Sequence, residues 1–130
     1  MNDDPTDAQT WLVRARSSLR QAELGHGDPL VVLQDLCFNA QQAAEKGLKA
    51  VCVHRQIPFE KVHSLAYLVA LLEKAGIEVP ADVKEARPLT RYAVRARYPG
   101  FLKVDEAKYR AAVELAHRVL CWAEKTVGEG

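Results

Sequence analysis

Phe38-Asn39-Ala40-Gln41-Gln42-Ala43-Ala44-Glu45-Lys46-Gly47-Leu48-Lys49-Ala50 is the stretch that decides the fold. Apolar residues recur around it at Leu33, Leu36, Cys37, Ala40, Ala44, Leu48 and Val51. Those steps, mostly of three and four, trace one face of an α-helix. Beside that face runs a dense polar strip of Gln41, Gln42, Glu45, Lys46 and Lys49. The spacing alone predicts a solvated strip with a Glu45–Lys49 pair at i,i+4. Gly47 costs about 1 kcal/mol against Ala in an open helix, so its presence points to a close neighbour. The small residues on this face also suggest where a second copy of the chain would meet it.

The pattern extends in both directions. Thr6-x-x-Gln9 reads as a capping box that opens a first helix reaching about Leu24, where Gly25-His26-Gly27 stops it. Asp28 and Pro29 suit an N-cap and first helical position, so the second helix is expected to run from there to Val53 or His54. A third begins between Lys61 and Ser64 and ends at Gly76. Ala81 to Ala86 reads as a short helical piece. A fourth helix begins at Pro88, carries Leu89, Tyr92, Ala93 and Ala96, and ends at Tyr98-Pro99-Gly100. Asp105 caps the last, which runs to about Thr126, and the final Gly-Glu-Gly should fray. There is no hairpin signal, repeat or low-complexity linker. About five helices with short connections predict an all-α antiparallel bundle, and residues 1–130 read as one domain.

Composition excludes several classes. No stretch approaches the roughly 20 apolar residues of a membrane span. Asp3, Asp4 and Asp7 stand where a secretory signal would be basic, so a cytoplasmic protein is expected. Cys37, Cys52 and Cys121 lack metal-ligand spacing and read as small buried core residues. No histidine spacing forms a metal site, no phosphate-binding glycine loop is present, and no cofactor is expected. Net charge is only +1. From Lys84 to Arg110, however, eight cations face three anions, a local excess of +5 that can attract phosphate.

Two constellations could carry chemistry. Arg110 and His117 are seven residues apart, which returns to within about 20° on a helix, two turns on. On such a face the imidazole can move a proton at a ribose hydroxyl or leaving oxygen while the guanidinium holds the phosphate. The plain alternative is a solvated Arg110 and a partly buried His117. The second constellation is a strip on the fourth helix. Arg87, Arg91 and Arg95 follow i,i+4,i+8 if Pro88 leaves the helix undisturbed, and Arg97 stands beside Tyr98 at its end. Arg91, Arg95 and Arg97 could grip phosphates and Tyr98 could stack on a base.

The literal residues add a resemblance. Phe38-x-x-Gln41-Gln42-Ala43-x-Glu45-Lys46-x-Leu48-Lys49-Ala50 resembles the signature of HEPN domains, small helical domains of higher eukaryotes and prokaryotes. Trp11-Leu12-x-x-Ala15, His63-Ser64-Leu65, Leu71-Leu72, Leu89-Thr90-x-Tyr92 and Arg97-Tyr98-Pro99-Gly100 fit in order, so the resemblance spans Trp11 to about Trp122. It implies a HEPN-like helical bundle and a homodimer that binds nucleotide or RNA and partners a minimal nucleotidyltransferase. Arg110-x6-His117 also matches the Arg-x4–6-His motif of metal-independent HEPN ribonucleases, including toxins of toxin–antitoxin pairs. Ala111 departs from that pattern, since active members usually carry a polar residue there. Arg110 also sits later in its helix than theirs. The implied function is therefore first an interaction module, with the ribonuclease as the alternative.

Overall fold

The computed structural model describes residues 4–95 and 102–129, without the side chains of Arg95 and Glu129. Its described residues form helices only: α1 (Ala8–Leu24), α2 (Leu33–His54), α3 (Leu65–Lys74), α4 (Ala81–Lys84), α5 (Thr90–Arg95) and α6 (Glu106–Glu129), with a 3₁₀ turn at Arg87–Leu89. The all-α bundle expected from periodicity is what the chain forms. None of these helices is long and apolar enough to cross a membrane.

α2 is the central element, packed on α1 along one side and on α6 along another. Its face of small residues is buried against them: Ala40, Ala43, Ala44, Ala50 and Cys52 have no exposed surface. Gly47 lies against α6. A Cβ placed there would stand 3.2 Å from Leu120 Cδ1, 3.4 Å from Val119 Cγ1 and 3.7 Å from the Ala123 Cβ. The glycine thus permits a close approach of two long helices within one chain, and the small-residue face is consumed by that packing. It offers nothing to a second copy.

The polar strip departs from the solvated face that its spacing predicts. Gln41 is wholly buried, Glu45 is 4% exposed and Lys49 is 7% exposed. Glu45 Oε2 accepts from Lys49 Nζ at 2.7 Å, and Glu45 Oε1 accepts from Gln41 Nε2 at 3.1 Å and His63 Nδ1 at 2.9 Å. Gln41 Nε2 also donates to the His63 carbonyl at 3.1 Å. Lys49 sits 5.7 Å from the Trp11 ring centroid and 5.4 Å from that of Phe59, which meet edge to face. The strip is therefore a buried network that ties α2 to α1 and to the connection before α3. Its members satisfy one another, which is the condition for tolerating charge inside a core.

Local chemistry moves several helix ends. Asp7, not Thr6, caps α1, accepting from the Gln9 N–H at 3.0 Å, while the Thr6 hydroxyl donates to Asp4 at 2.7 Å. α2 begins at Leu33 rather than Asp28, because the Asp28 carboxylate accepts from the Leu30 N–H at 2.9 Å and makes a turn instead of a cap. Ser64 caps α3 through the Tyr67 N–H at 3.1 Å, and Gly76, at φ +87°, turns the chain away after it. α6 is capped by Asp105 as expected but continues through Gly128 to Glu129 instead of fraying at Thr126. Cys37 and Cys52 are buried, and burial pushes both thiols up to about 11. Cys121 is exposed, contrary to the expectation from its apolar surroundings in sequence.

The buried network makes a stability prediction. Burial pushes the Glu45 carboxyl up, but hydrogen bonds from Lys49, His63 and Gln41 outweigh this and hold it below its ordinary value. A carboxyl lowered in the folded state contributes stability above the unfolded value, and that contribution is lost as pH falls through the folded one. Urea denaturation should thus show stability falling in acid, and Glu45→Gln should flatten that dependence. Glu45→Ala, which strands Lys49, should cost about 3–5 kcal/mol at neutral pH.

Candidate functional site

α1 and α6 run antiparallel, and a ladder of ion pairs follows their seam. Arg16 of α1 pairs with Glu124, its Nε donating to Glu124 Oε2 at 3.2 Å. Seven residues on, Glu23 meets His117, Oε2 to Nε2 at 3.6 Å. Beyond the end of α1, His26 Nε2 contacts Glu106 Oε1. The same Glu106 oxygen lies 3.3 Å from Arg110 Nη2. His26 stacks on Tyr109 with ring centroids 4.6 Å apart, and the Tyr109 hydroxyl donates to the Ala22 carbonyl at 2.9 Å. Burial raises the Tyr109 phenol above its ordinary value, and the charges of Glu23 and Glu106 add to it.

Arg110 and His117 do share a face, as their spacing predicts. Each has a carboxylate partner: Glu106, which lies at i,i+4 from Arg110, and Glu23, which the spacing does not reveal. Arg110 is 70% exposed and tied to Glu106, while His117 is 40% exposed and faces Glu23. His117 also borders a groove of about 400 Å³ between α4 and α6, with Pro80, Trp122, Arg118 and Lys125. Arg110 is not among the residues lining it. Arg118 there is held by Glu85 at 2.7 Å and Glu114 at 3.4 Å. The cross-helix pairings of Glu23 with His117 and of His26 with Glu106 were invisible in the sequence, whereas Glu106 stands at i,i+4 from Arg110. Only the heptad steps 16–23 on α1 and 110–117–124 on α6 hint at a shared seam.

The arginine strip is broken where Pro88 stands. Arg87 belongs to the 3₁₀ turn and its Nε donates to the Lys84 carbonyl at 2.9 Å. Arg91 opens onto α5, its Nε donating to the Pro88 carbonyl at 3.1 Å and its guanidinium lying 5.8 Å from the Tyr92 ring centroid. Arg87 and Arg91 thus do not continue one α-helical row. The Arg95 side chain, Arg97 and Tyr98 lie outside the described residues, as does the expected end of the fourth helix at Tyr98-Pro99-Gly100. Within the basic segment, Lys84 pairs with Glu73 at 3.2 Å. Among the described residues no three His, Cys, Asp or Glu side chains gather as a metal site would require.

Comparison with known proteins places this architecture. A sequence model of the HEPN domain matches residues 8–126. The chain belongs to the HEPN family. Among solved structures, this HEPN protein is similar to TT1696 from Thermus thermophilus, with 32% identity and a TM-score of 0.78, covering 97% of this chain and 99% of that one. It is also similar to ST0689, an archaeal HEPN homologue, with 21% identity and a TM-score of 0.73, covering 93% and 98% of the two chains. The latter likeness speaks to fold alone. No curated protein matches the HEPN chain.

The ladder predicts that Glu23 and Glu106 oppose an incoming phosphate. Surface pairs of this kind contribute about 0–1 kcal/mol. Glu23→Gln with Glu106→Gln should therefore raise affinity for single-stranded RNA by about two- to fivefold and steepen its salt dependence. Fluorescence anisotropy across a salt series reads both, and unchanged binding would show that RNA does not approach this seam.

Proposed function

We propose that this HEPN protein is a homodimeric, cytoplasmic interaction module that binds nucleotide or RNA without cutting it and partners a minimal nucleotidyltransferase. The observation that supports the reading best is the occupancy of Arg110 and His117. Each is engaged by a carboxylate, and Arg110 does not line the groove that His117 borders. A phosphate held for cleavage would have to displace Glu106 while a proton moved at an imidazole beside Glu23. Ala111 offers no polar group next to Arg110 to assist.

The dimer finds its support in the family and in apolar residues left exposed around the α1–α2 connection. Leu24 is 66%, Leu30 92% and Val32 59% exposed. Isolated apolar residues on a surface are ordinary, but three along one connection suit an interface. Polyanion binding is supported by the +5 balance from Lys84 to Arg110 and assigned to Arg91, Arg95, Arg97 and Tyr98.

The second reading is a metal-independent ribonuclease acting as a toxin, with Arg110 and His117 as its catalytic pair. What favours it is the shared α6 face, together with the position of His117 at the edge of an open groove beside Trp122. In that mechanism a ribose 2′-hydroxyl loses its proton and attacks the adjacent 3′-phosphodiester. The bond to the next nucleotide's 5′-oxygen breaks and that oxygen takes up a proton, leaving a 2′,3′-cyclic end and a 5′-hydroxyl, so DNA is spared.

Two measurements test the preferred reading. Replacing Arg91, Arg95 and Arg97 with Ala should weaken RNA binding and lower the salt slope by roughly 2, since each single-strand phosphate contact contributes about 0.7. Sedimentation equilibrium at tens of micromolar, an order-of-magnitude choice for a stable interface, should give a dimer. Unchanged RNA binding in the triple variant, or a monomer, would overturn the corresponding part.

A further inference from the structure

A second groove lies on another flank of α6, facing the Arg87–Leu89 turn and α5, with a volume of about 260 Å³. Its floor is apolar, formed by the buried Leu89, Tyr92 and Ala112. Its rim carries cations from two different elements, Arg91 of α5 and Lys108 of α6. Backbone carbonyls aim both: Arg91 Nε donates to Pro88 at 3.1 Å and Lys108 Nζ to Lys103 at 3.2 Å. Each bond uses one N–H of a group that has several, so both cations keep donor capacity for a ligand. The acid on the rim, Glu85, is neutralised by Arg118 at 2.7 Å. The groove is therefore apolar below and carries two cations above, with Glu85 paired to Arg118 and the Asp105 carboxylate, which accepts from the Lys108 N–H, near enough for its charge to act on Tyr92.

The geometry points to this groove as the site for a single nucleotide, its base laid on the apolar floor beside Tyr92 and its phosphate held between Arg91 and Lys108. The inference rests on the nucleotide- or RNA-binding reading above and gives it a place. Size sets the occupant. Small-molecule pockets usually measure about 300–1,000 Å³, so this one takes one ring system and not a stacked run of bases. Inorganic phosphate would leave the apolar floor wet, and an uncharged ring would leave the two cations without a partner. A ligand that joins a flat ring to a phosphate uses both halves. Ala111 gains a role here. It lines the groove, and a larger side chain at that position would fill the space. The residue that departs from the nuclease pattern is thus the one whose small size keeps this site open.

The same chemistry comes from a free mononucleotide or from the 5′-phosphorylated end of an RNA strand. Calorimetric titration of the full chain with AMP, adenosine and inorganic phosphate tests the shared part. AMP should bind saturably and at least about tenfold tighter than either fragment. Ala111→Trp should weaken AMP by about tenfold or more with helicity and oligomeric state unchanged, while Ala111→Ser should retain it. Arg91→Ala with Lys108→Ala should reduce AMP binding to the level of adenosine. A preference for a short 5′-phosphorylated RNA over its 5′-hydroxyl counterpart, lost in Ala111→Trp, assigns the strand end. Equal binding of the two RNAs with tight AMP binding assigns the free nucleotide. AMP binding that survives Ala111→Trp, or is no tighter than phosphate, overturns the site. If RNA still binds and depends on salt while AMP does not bind, the groove fails but the polyanion-binding reading stands. If neither binds, both fall.

Discussion

The approach of α6 to α2 at Gly47 is the contact on which the functional surface depends. With Leu120 Cδ1 only 3.2 Å from where a Cβ would be, α6 has little freedom to move inward or to rotate about its axis. That fixes which α6 side chains meet α1 and which meet α5. Glu106, His117 and Glu124 fall on the α1 seam, where His26, Glu23 and Arg16 respectively receive them. Lys108, Ala111 and Ala112 fall toward Arg91 and Tyr92. A bulkier residue at position 47 would separate the helices and change both flanks together. The helix-propensity loss of about 1 kcal/mol at glycine is offset by the packing it allows.

The same helix solves a second problem on its polar side. Ionised Glu45 and Lys49 are expensive to bury, and the cost is offset because both carboxylate oxygens accept hydrogen bonds and the ammonium donates to one of them beside two aromatic rings. Gln41 and His63 supply what the ion pair lacks, while Trp11 and Phe59 shield it. The network joins α1, α2 and the connection into α3. It specifies how that connection docks. The surface ladder between α1 and α6 is different in kind, since its members are partly exposed and screened, and it contributes little to stability.

Much of this was legible in the residues. The period of α2, the stop at Gly25-His26-Gly27, the start of α3 near Ser64, the Asp105 cap and the close neighbour of Gly47 all follow from the residues, and tertiary contacts did not override them. The errors share a cause. The Gln41–Glu45–Lys49 strip has the spacing of a solvated face, and nothing along the helix shows that His63, Trp11 and Phe59 will cover it. Asp28 has the chemistry of both a cap and a turn, and its hydrogen bond from the Leu30 N–H makes the turn. Cys121 lies in an apolar run but projects from the outer side of α6. Arg87 and Arg91 were aligned by counting across Pro88, where a 3₁₀ turn interrupts the register. For the candidate site, the spacing sets Arg110 and His117 on one face and Glu106 at i,i+4 from Arg110, but it could not show the partner of His117, because Glu23 is contributed by a helix more than eighty residues earlier.

These partners separate two ways of using one helix face. A cleaving site needs a guanidinium and an imidazole that converge on one phosphate. A binding module needs cations that can attract phosphate without moving a proton. Counter-ions at Glu23 and Glu106 favour the second. The most direct test is incubation of the purified protein with single-stranded RNA in EDTA, beside His117→Ala, with products resolved by length and end group. The account predicts intact RNA with both proteins. Strand cutting by the wild type that leaves 2′,3′-cyclic phosphates and disappears in His117→Ala, with its fold and oligomeric state retained, would contradict it.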